Sequence, residues 1–486
     1  MNLKSIRPSK LLQSALLKNS FWGVAATFLQ TLLASLFFVV LARKFPTTDF
    51  AKFLIANTIY QIIVAFSSMS LGQWYIREFS VAADTVDLSR KFLKIQLWLG
   101  FIFYFVSFGV CLALYSDKQI IILSFLLGTN IIFDNVIYAI KCMNIAESNQ
   151  KKSFNILIID GLLKLLVGCS LFLYPFSMVN ICVFLVAMRF LSLNLFIRIG
   201  SSNSITTKEI WYAKISYEDI KQFVFKNWKF IIIGGVSIVY WRLSNILISK
   251  FLTLAAVANY EIAFKIFSLF QALPFVASAS VYPLFNQLVK AGDMIGLRAL
   301  YKKIYYLYYT FSIFSYAFIY AFAHLLIQKA FGQHYLVSVE CTQQMFLTFL
   351  LLPTVLLQVN LLTSLRLEKL DMWFNIVCLF INLTGCFIGF HFHRSLSVIN
   401  FSIFGSFLIF HISQDWILIK MKITSYISCF LFYFSLFAII AVYHFYEPHF
   451  NNYIFFIGFS SLVILISLSF VVFKQKRQDV VKINII

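Results

Sequence analysis

Runs of about 20 apolar residues recur from one end of this chain to the other, and they constrain its fold more than any other feature. A helix of that length crosses the hydrocarbon layer, where backbone amides find no partner but their own helix. Fourteen such stretches can be placed, at 20–41, 53–75, 95–115, 119–141, 154–174, 178–198, 229–251, 258–288, 303–327, 342–365, 371–391, 397–419, 424–443 and 453–473. Only 12% of the residues are charged, about half the share of a soluble domain. No stretch is left over for a separate soluble domain. The expectation is an all-α polytopic membrane protein with about 14 transmembrane helices. The eighth run is the least regular, because Pro274 and Pro283 are expected to kink or end it.

The net charge of +21 does not point to nucleic acid once the charges are placed. With the N-terminus inside, the inside segments carry roughly four times the lysine and arginine of the outside loops. Missing or inventing one helix would scramble that alternation. Both termini are therefore expected in the cytoplasm. Lys4, Arg7, Lys10 and Lys18 precede the first run with no small-residue cleavage site, so that helix is expected to stay. The longest loop, 200–228, divides the chain into an N-terminal lobe (1–199), a C-terminal lobe (229–422) and an appendix of two helices and a basic tail (423–486). A faint internal echo, "ARKFPTTDFAKF" at 42–53 against "SKFLTLAAVANY" at 249–260, suggests two pseudo-symmetric six-helix bundles. The 8 cysteines are scattered through apolar segments without metal spacing. Neither a cofactor nor a metal is expected.

Four stretches carry a family resemblance: "LARKFPTTDFAKF…LGQWYIRE", "YWRLSNILISKF…VANYEIAFKI", "SVYPLFNQL" and "LLIQKAFGQHY". They resemble the O-antigen type polysaccharide flippases of the multidrug/oligosaccharidyl-lipid/polysaccharide exporter superfamily. The resemblance implies two six-helix bundles around a cavity that opens alternately to either side. It implies as cargo an oligosaccharide on undecaprenyl diphosphate, moved from the cytoplasmic to the periplasmic leaflet of the bacterial inner membrane. It also implies a polysaccharide polymerase and a chain-length regulator as partners, besides membrane lipids and without nucleic acid. Many relatives have Asp where this chain has Ser244, and a small residue where it has Glu261.

Ionisable groups inside the hydrocarbon layer are costly and default to functional candidates. Arg242 stands roughly 18 Å from the inner end of its run, too deep to snorkel easily. Arg242, Asn245 and Ser249 share one helical face with Gly235, and a polar stripe of that kind suits a wet cavity. Lys265 lies roughly 10 Å below the outer end of the next run and Arg242 roughly 13 Å below that of its own. Two cations at similar depth would suit a passing diphosphate, which Arg binds bidentately. The bland reading lets Glu261, one turn from Lys265, neutralise that lysine.

The first lobe holds a different set: Asp134, Asp160, Lys164 and Arg189, two acids and two bases. They suit a buried ion network that fixes helix register. Alternatively one acid, Asp160 before Asp134, takes a proton during transport. Gln30, Asn57, Tyr60 and Gln61 are candidates for sugar hydroxyls or for joining helices. "GCFIG" at 385–389 has the spacing of close helix packing, and Pro353 of a hinge or kink. His324, His391 and His393 have no partner at metal spacing.

Two other functions compete. A drug exporter of the same superfamily usually carries cations, which two cavity cations disfavour. A polytopic polymerase or glycosyltransferase would want a sizeable outside loop or paired surface carboxylates, and the loops here are short and lack such a pair.

Overall fold

The computed structural model describes residues 10–69, 71–79, 82–200, 238–446 and 456–461, with islands at 214–216, 221, 235–236 and 453–454. The expected inter-lobe loop, apart from two of those islands, and the last expected span beyond residue 461 lie outside the described residues. Among the described residues there are helices and no strand. They pack as two compact units: Met1–Glu261 with Asn375–Leu379, and Ile262–Phe374 with Phe380–Ile486.

The first unit contains α1 (Lys10–Lys44), α2 (Thr47–Ser67), α3 (Leu71–Phe79), α4 (Thr85–Leu114), α5 (Lys118–Ala146), α6 (Gln150–Ser170) and α7 (Met178–Leu195), the last continuing as a π turn to Gly200. A further helix, α8, runs over 238–251. α5 is central, packing against α2, α4 and α7, while α6 lies along α1. The α4–α5 contact is close because Gly100 carries no side chain. A Cβ there would sit 2.9 Å from the Cα of Ile132. Below it, the Tyr75 ring stacks on Phe92 at 4.5 Å, and its hydroxyl meets Ser89 at 2.6 Å. Short connections start on side-chain caps: Asp84 accepts from the amides of Val86 and Asp87, and Asp117 from those of Gln119 and Ile120.

The second expected span needs correction. Instead of one helix over 53–75, α2 begins at Thr47 and stops at Ser67, and α3 follows as a separate short helix. Ser67 and Ser68 turn their hydroxyls back onto the carbonyls of Val64 and Ala65, and Met69 adopts a positive φ of 48°. Serines competing for backbone acceptors followed by a left-handed residue end a helix; hydropathy alone does not see this.

The second unit contains most of α9 (Leu254–Ala291), then α10 (Met294–Ala330), α11 (Ser338–Phe349), α12 (Leu352–Ser364), α13 (Glu368–Phe392), α14 (Leu396–Lys420) and α15 (Tyr426–Tyr446). Pro274 and Pro283 do not end α9, which continues through both. The Tyr308 hydroxyl reaches the carbonyl of Pro274 at 3.4 Å, and Asn360 that of Ser278 at 3.5 Å. Pro353, by contrast, stands in the first turn of α12 after a break at Leu350 and Leu351. The glycines of 385–389 let α13 meet α14 closely: a Cβ on Gly389 would lie 2.4 Å from Val398, and one on Gly385 3.0 Å from Ser402.

Eleven described segments, with α11 and α12 counted as one, are long and apolar enough to cross a membrane. Their outer faces keep large apolar groups uncovered, among them Trp98, Phe105, Leu166, Phe380 and Phe430. A water-soluble surface does not tolerate so much of this, whereas acyl chains cover it at no cost. The chain is a multi-pass membrane protein.

Candidate functional site

α8 carries Arg242, and the turn at 252–253 brings α9 back alongside it. Arg242 Nη1 pairs with Glu261 Oε1 at 2.8 Å, the guanidinium partly exposed and the carboxylate buried. This differs from the sequence reading, which left Arg242 without a carboxylate and assigned Glu261 to Lys265. The cause is a helix boundary. α9 starts at Leu254 rather than 258, which places Glu261 roughly 10 Å along it. That nearly matches the depth of Arg242, roughly 13 Å from the end of α8.

The rest of the polar face is engaged as well. Asn245 is buried and donates from Nδ2 to Glu261 and, at 2.9 Å, to Thr58 of α2. Ser249 gives its proton to the carbonyl of Ile246 and so accepts from Tyr115 at 2.6 Å. Lys250, next in line, donates to the carbonyl of Leu114 and lies 4.3 Å over the Tyr115 ring. Arg242, Asn245 and Ser249 therefore bind α8 to α9, α2 and the end of α4. Ser244 is buried. Lys265 is half-buried one turn beyond Glu261 along α9.

Asp134, Asp160, Lys164 and Arg189 come together from α5, α6 and α7. Lys164 Nζ lies 2.7 Å from Asp160 Oδ2, and Arg189 Nη1 3.4 Å from the same oxygen. Arg189 also grips Asp134 Oδ1, Tyr60 of α2 donates to the other oxygen of Asp134, and Ser192 donates to Asp160 Oδ1. Both carboxylates are buried. A proton reaching Asp160 has to displace a cation, so the arrangement suits a fixed ion network joining α2, α5, α6 and α7. Tyr60 belongs to that network. Asn57, Gln61 and Gln30 are half-buried on α2 and α1. Lys141 of α5 was missed from the sequence because it falls at the expected end of a span; it interacts electrostatically with Arg189, Asp134 and Asp160.

A second buried cluster was also missed. In the second unit His411 and Asp415 stand one turn apart on α14, both buried, with Thr354 and Gln358 of α12 and Tyr433 of α15 on them. The signal in the sequence is the i, i+4 pair within "FHISQDW", inside a run apolar enough to hide it. Elsewhere, a pocket of about 560 Å³ opens at the α1–α2 and α6–α7 turns, lined by Lys44, Asp49 and residues 171–179. None of the candidate residues lines it. His324, His391 and His393 are exposed.

Among curated protein sequences none matches the chain. Solved structures do match in fold. An inward-facing multidrug-resistance transporter of the MATE family superposes with TM-score 0.69 at 12% identity, over 83% of this chain and 98% of that one. The MATE multidrug transporter DinF-BH, solved in complex with a ligand, gives 0.64 at 14%, over 86% and 98%. A superfamily transporter from Pyrococcus furiosus, described as having a binding pocket of reverse polarity, gives 0.60 at 12%, over 84% and 95%. At these identities the likeness establishes the fold alone. Residues 16–289, more than half of the chain, match the model of the family described as "Polysaccharide biosynthesis protein". With that match, the chain belongs to the polysaccharide biosynthesis protein family, and its fold is the one seen in the MATE-type transporters.

Proposed function

We propose that the protein is a flippase for an undecaprenyl-diphosphate-linked oligosaccharide, an O-antigen or related surface-glycan repeat unit. It moves this cargo by alternating access from the cytoplasmic to the periplasmic leaflet of the bacterial inner membrane, with both termini cytoplasmic. A polysaccharide polymerase and a chain-length regulator act on the delivered product.

The observation that carries this reading is the Arg242–Glu261 pair, set within spanning helices of a polysaccharide-family transporter. A bare guanidinium in hydrocarbon is too costly to keep. One held by a carboxylate is tolerable, and a diphosphate with its bidentate geometry can take the carboxylate's place. Exchanging one anion for another keeps the guanidinium paired, and the released Glu261 keeps its hydrogen bond from Asn245. Asn245, bonded to Glu261 and Thr58, steadies the pair from the neighbouring turn. Lys265 supplies a second cation farther along α9.

In a strain lacking its own flippase, Arg242→Ala is expected to abolish surface polysaccharide with the protein still present in the membrane. Arg242→Lys retains part of it, since a point charge replaces the fork. Wild-type polysaccharide from the Ala variant would overturn the anion-exchange reading.

A further inference from the structure

The buried His411–Asp415 cluster of the second unit plays no part in the reading above. Its hydrogen bonds can be counted. The Thr354 hydroxyl spends its proton on the carbonyl of Leu351 at 2.8 Å, so at 3.0 Å it can only accept from His411 Nε2. His411 therefore carries a proton on Nε2. Its other nitrogen, Nδ1, lies 2.7 Å from the Tyr433 hydroxyl and 3.1 Å from Asp415 Oδ2, and the hydroxyl lies 2.7 Å from that same oxygen. Three electronegative atoms thus form a triangle, each within reach of the other two.

A neutral histidine and an ionised aspartate bring a single proton to this triangle, that of Tyr433. One edge is then bonded, and the Nδ1 lone pair faces a carboxylate oxygen at 3.1 Å. Two acceptors in contact, with a net negative charge in a dry interior, make an unfavourable arrangement. One further proton, on Nδ1 or on Oδ2, bonds a second edge and brings the cluster to neutrality. Asp415 Oδ1 is already occupied by Gln358 Nε2 at 2.7 Å. The other facing groups are Tyr301 and Tyr305 of α10 and Cys429 of α15. Among the described residues Asp415 forms no ion pair with lysine or arginine, unlike Asp160 with its two cations.

We propose that Asp415, His411 and Tyr433 form a proton-binding site through which transport is coupled to pH. Losing the proton leaves Tyr433 with one hydrogen for two acceptors, and the acceptor it abandons is repelled by its neighbour. Because the partners stand on α12, α14 and α15, the proton count is transmitted to the packing of three helices. The coupling part rests on the transporter reading; the site itself does not.

The test has two arms. In the first, infrared difference spectra of the purified full-length protein between pH 5 and 8, without cargo, read carboxyl and imidazole bands directly. A titrating band is expected in the wild type, lost in Asp415→Asn, displaced in Tyr433→Phe and retained in Asp160→Asn. Tyr433→Phe removes only one hydroxyl and serves if the Asn variant fails to fold. A band that persists in both Asp415→Asn and Tyr433→Phe, or one that added sodium abolishes at constant pH, overturns the proton site. In the second arm, the pH dependence of transport is expected to be displaced in Tyr433→Phe in the same direction as the band. A titrating site with an unchanged transport profile overturns the coupling, leaving the cargo assignment to the Arg242 experiment.

Discussion

Single residues in this protein act through the charge they meet, and Asp117 offers a case outside the spanning segments. It caps α5 and pairs with Lys52 of α2 at 2.8 Å, while Lys52 also donates to Gln119. The bond from Lys52, more than its two amide contacts, holds the Asp117 carboxyl below its ordinary value of 3.8. A lowered folded value means that the ionised form stabilises the fold. That contribution is complete above 3.8 and disappears as pH falls through the lowered value. In detergent, Asp117→Ala is expected to melt below the wild type at pH 7, losing about 1 kcal/mol for the cap and less for the exposed pair. Asp117→Asn keeps the cap and loses only the pair. Both gaps narrow as the pH approaches 3; gaps that stay constant down to that pH would show that the carboxylate charge is not what stabilises this end. Residues of this kind are legible in sequence only one at a time. Asp134, Asp160, Lys164 and Arg189 stood out because charge in an apolar run is rare. The Arg242–Glu261 pairing did not, since it depends on where α9 begins. His411 and Asp415 passed unnoticed because a histidine and an acid in a long apolar run look like isolated exceptions until three helices bring them partners.

At the scale of the element, hydropathy located nearly every helix and placed several starts too late. α4 starts at Thr85 rather than 95, and α10 at Met294 rather than 303. The added turns carry Arg90, Lys91 and Lys94 in one and Arg298 and Lys302 in the other. A helix does not stop where its side chains become polar; it stops where a cap or a left-handed residue stops it. Contacts between helices were harder to read. The GxxxG at 385–389 was visible from spacing, whereas Gly100 lacks a partner glycine and gave no signal. Its approach is the less forgiving one nonetheless, because what it faces is the backbone of α5, where Gly389 faces a side chain. Backbone cannot swing aside as a side chain does. Gly100→Ala is therefore expected to force α4 and α5 apart and cost about 1–3 kcal/mol, read as a lower melting temperature in detergent. Gly109 of the same helix has open space in front of it, so Gly109→Ala serves as the control. Equal melting of the two variants would refute the close-approach argument.

For the whole molecule, parity decides on which side of the membrane each terminus is expected. Among the described residues, eleven segments are long and apolar enough to cross, with α11 and α12 counted as one and α3 not among them. α3 has 9 residues, roughly 13 Å, less than half of what a crossing requires. Breaking the second expected span at Ser67 therefore shortens a helix without changing the parity, and the alternation of lysine and arginine survives. The fourteen runs expected from the sequence put the C-terminus on the side of the N-terminus. The basic tail, with Lys474, Lys476, Arg477 and Lys482, argues that this side is the cytoplasm. Fusions read this directly. Alkaline phosphatase, active only outside the cytoplasm, is expected to be active when joined in the α10–α11 connection at 331–337 and inactive at the C-terminus. A fluorescent protein that matures only inside gives the reverse. Phosphatase activity at the C-terminus would mean that the last apolar run does not cross, and the tail charges would then stand on the wrong side of the membrane. The same pair of fusions bears on the flippase reading, since a diphosphate headgroup made in the cytoplasm must enter from the side that carries these basic segments.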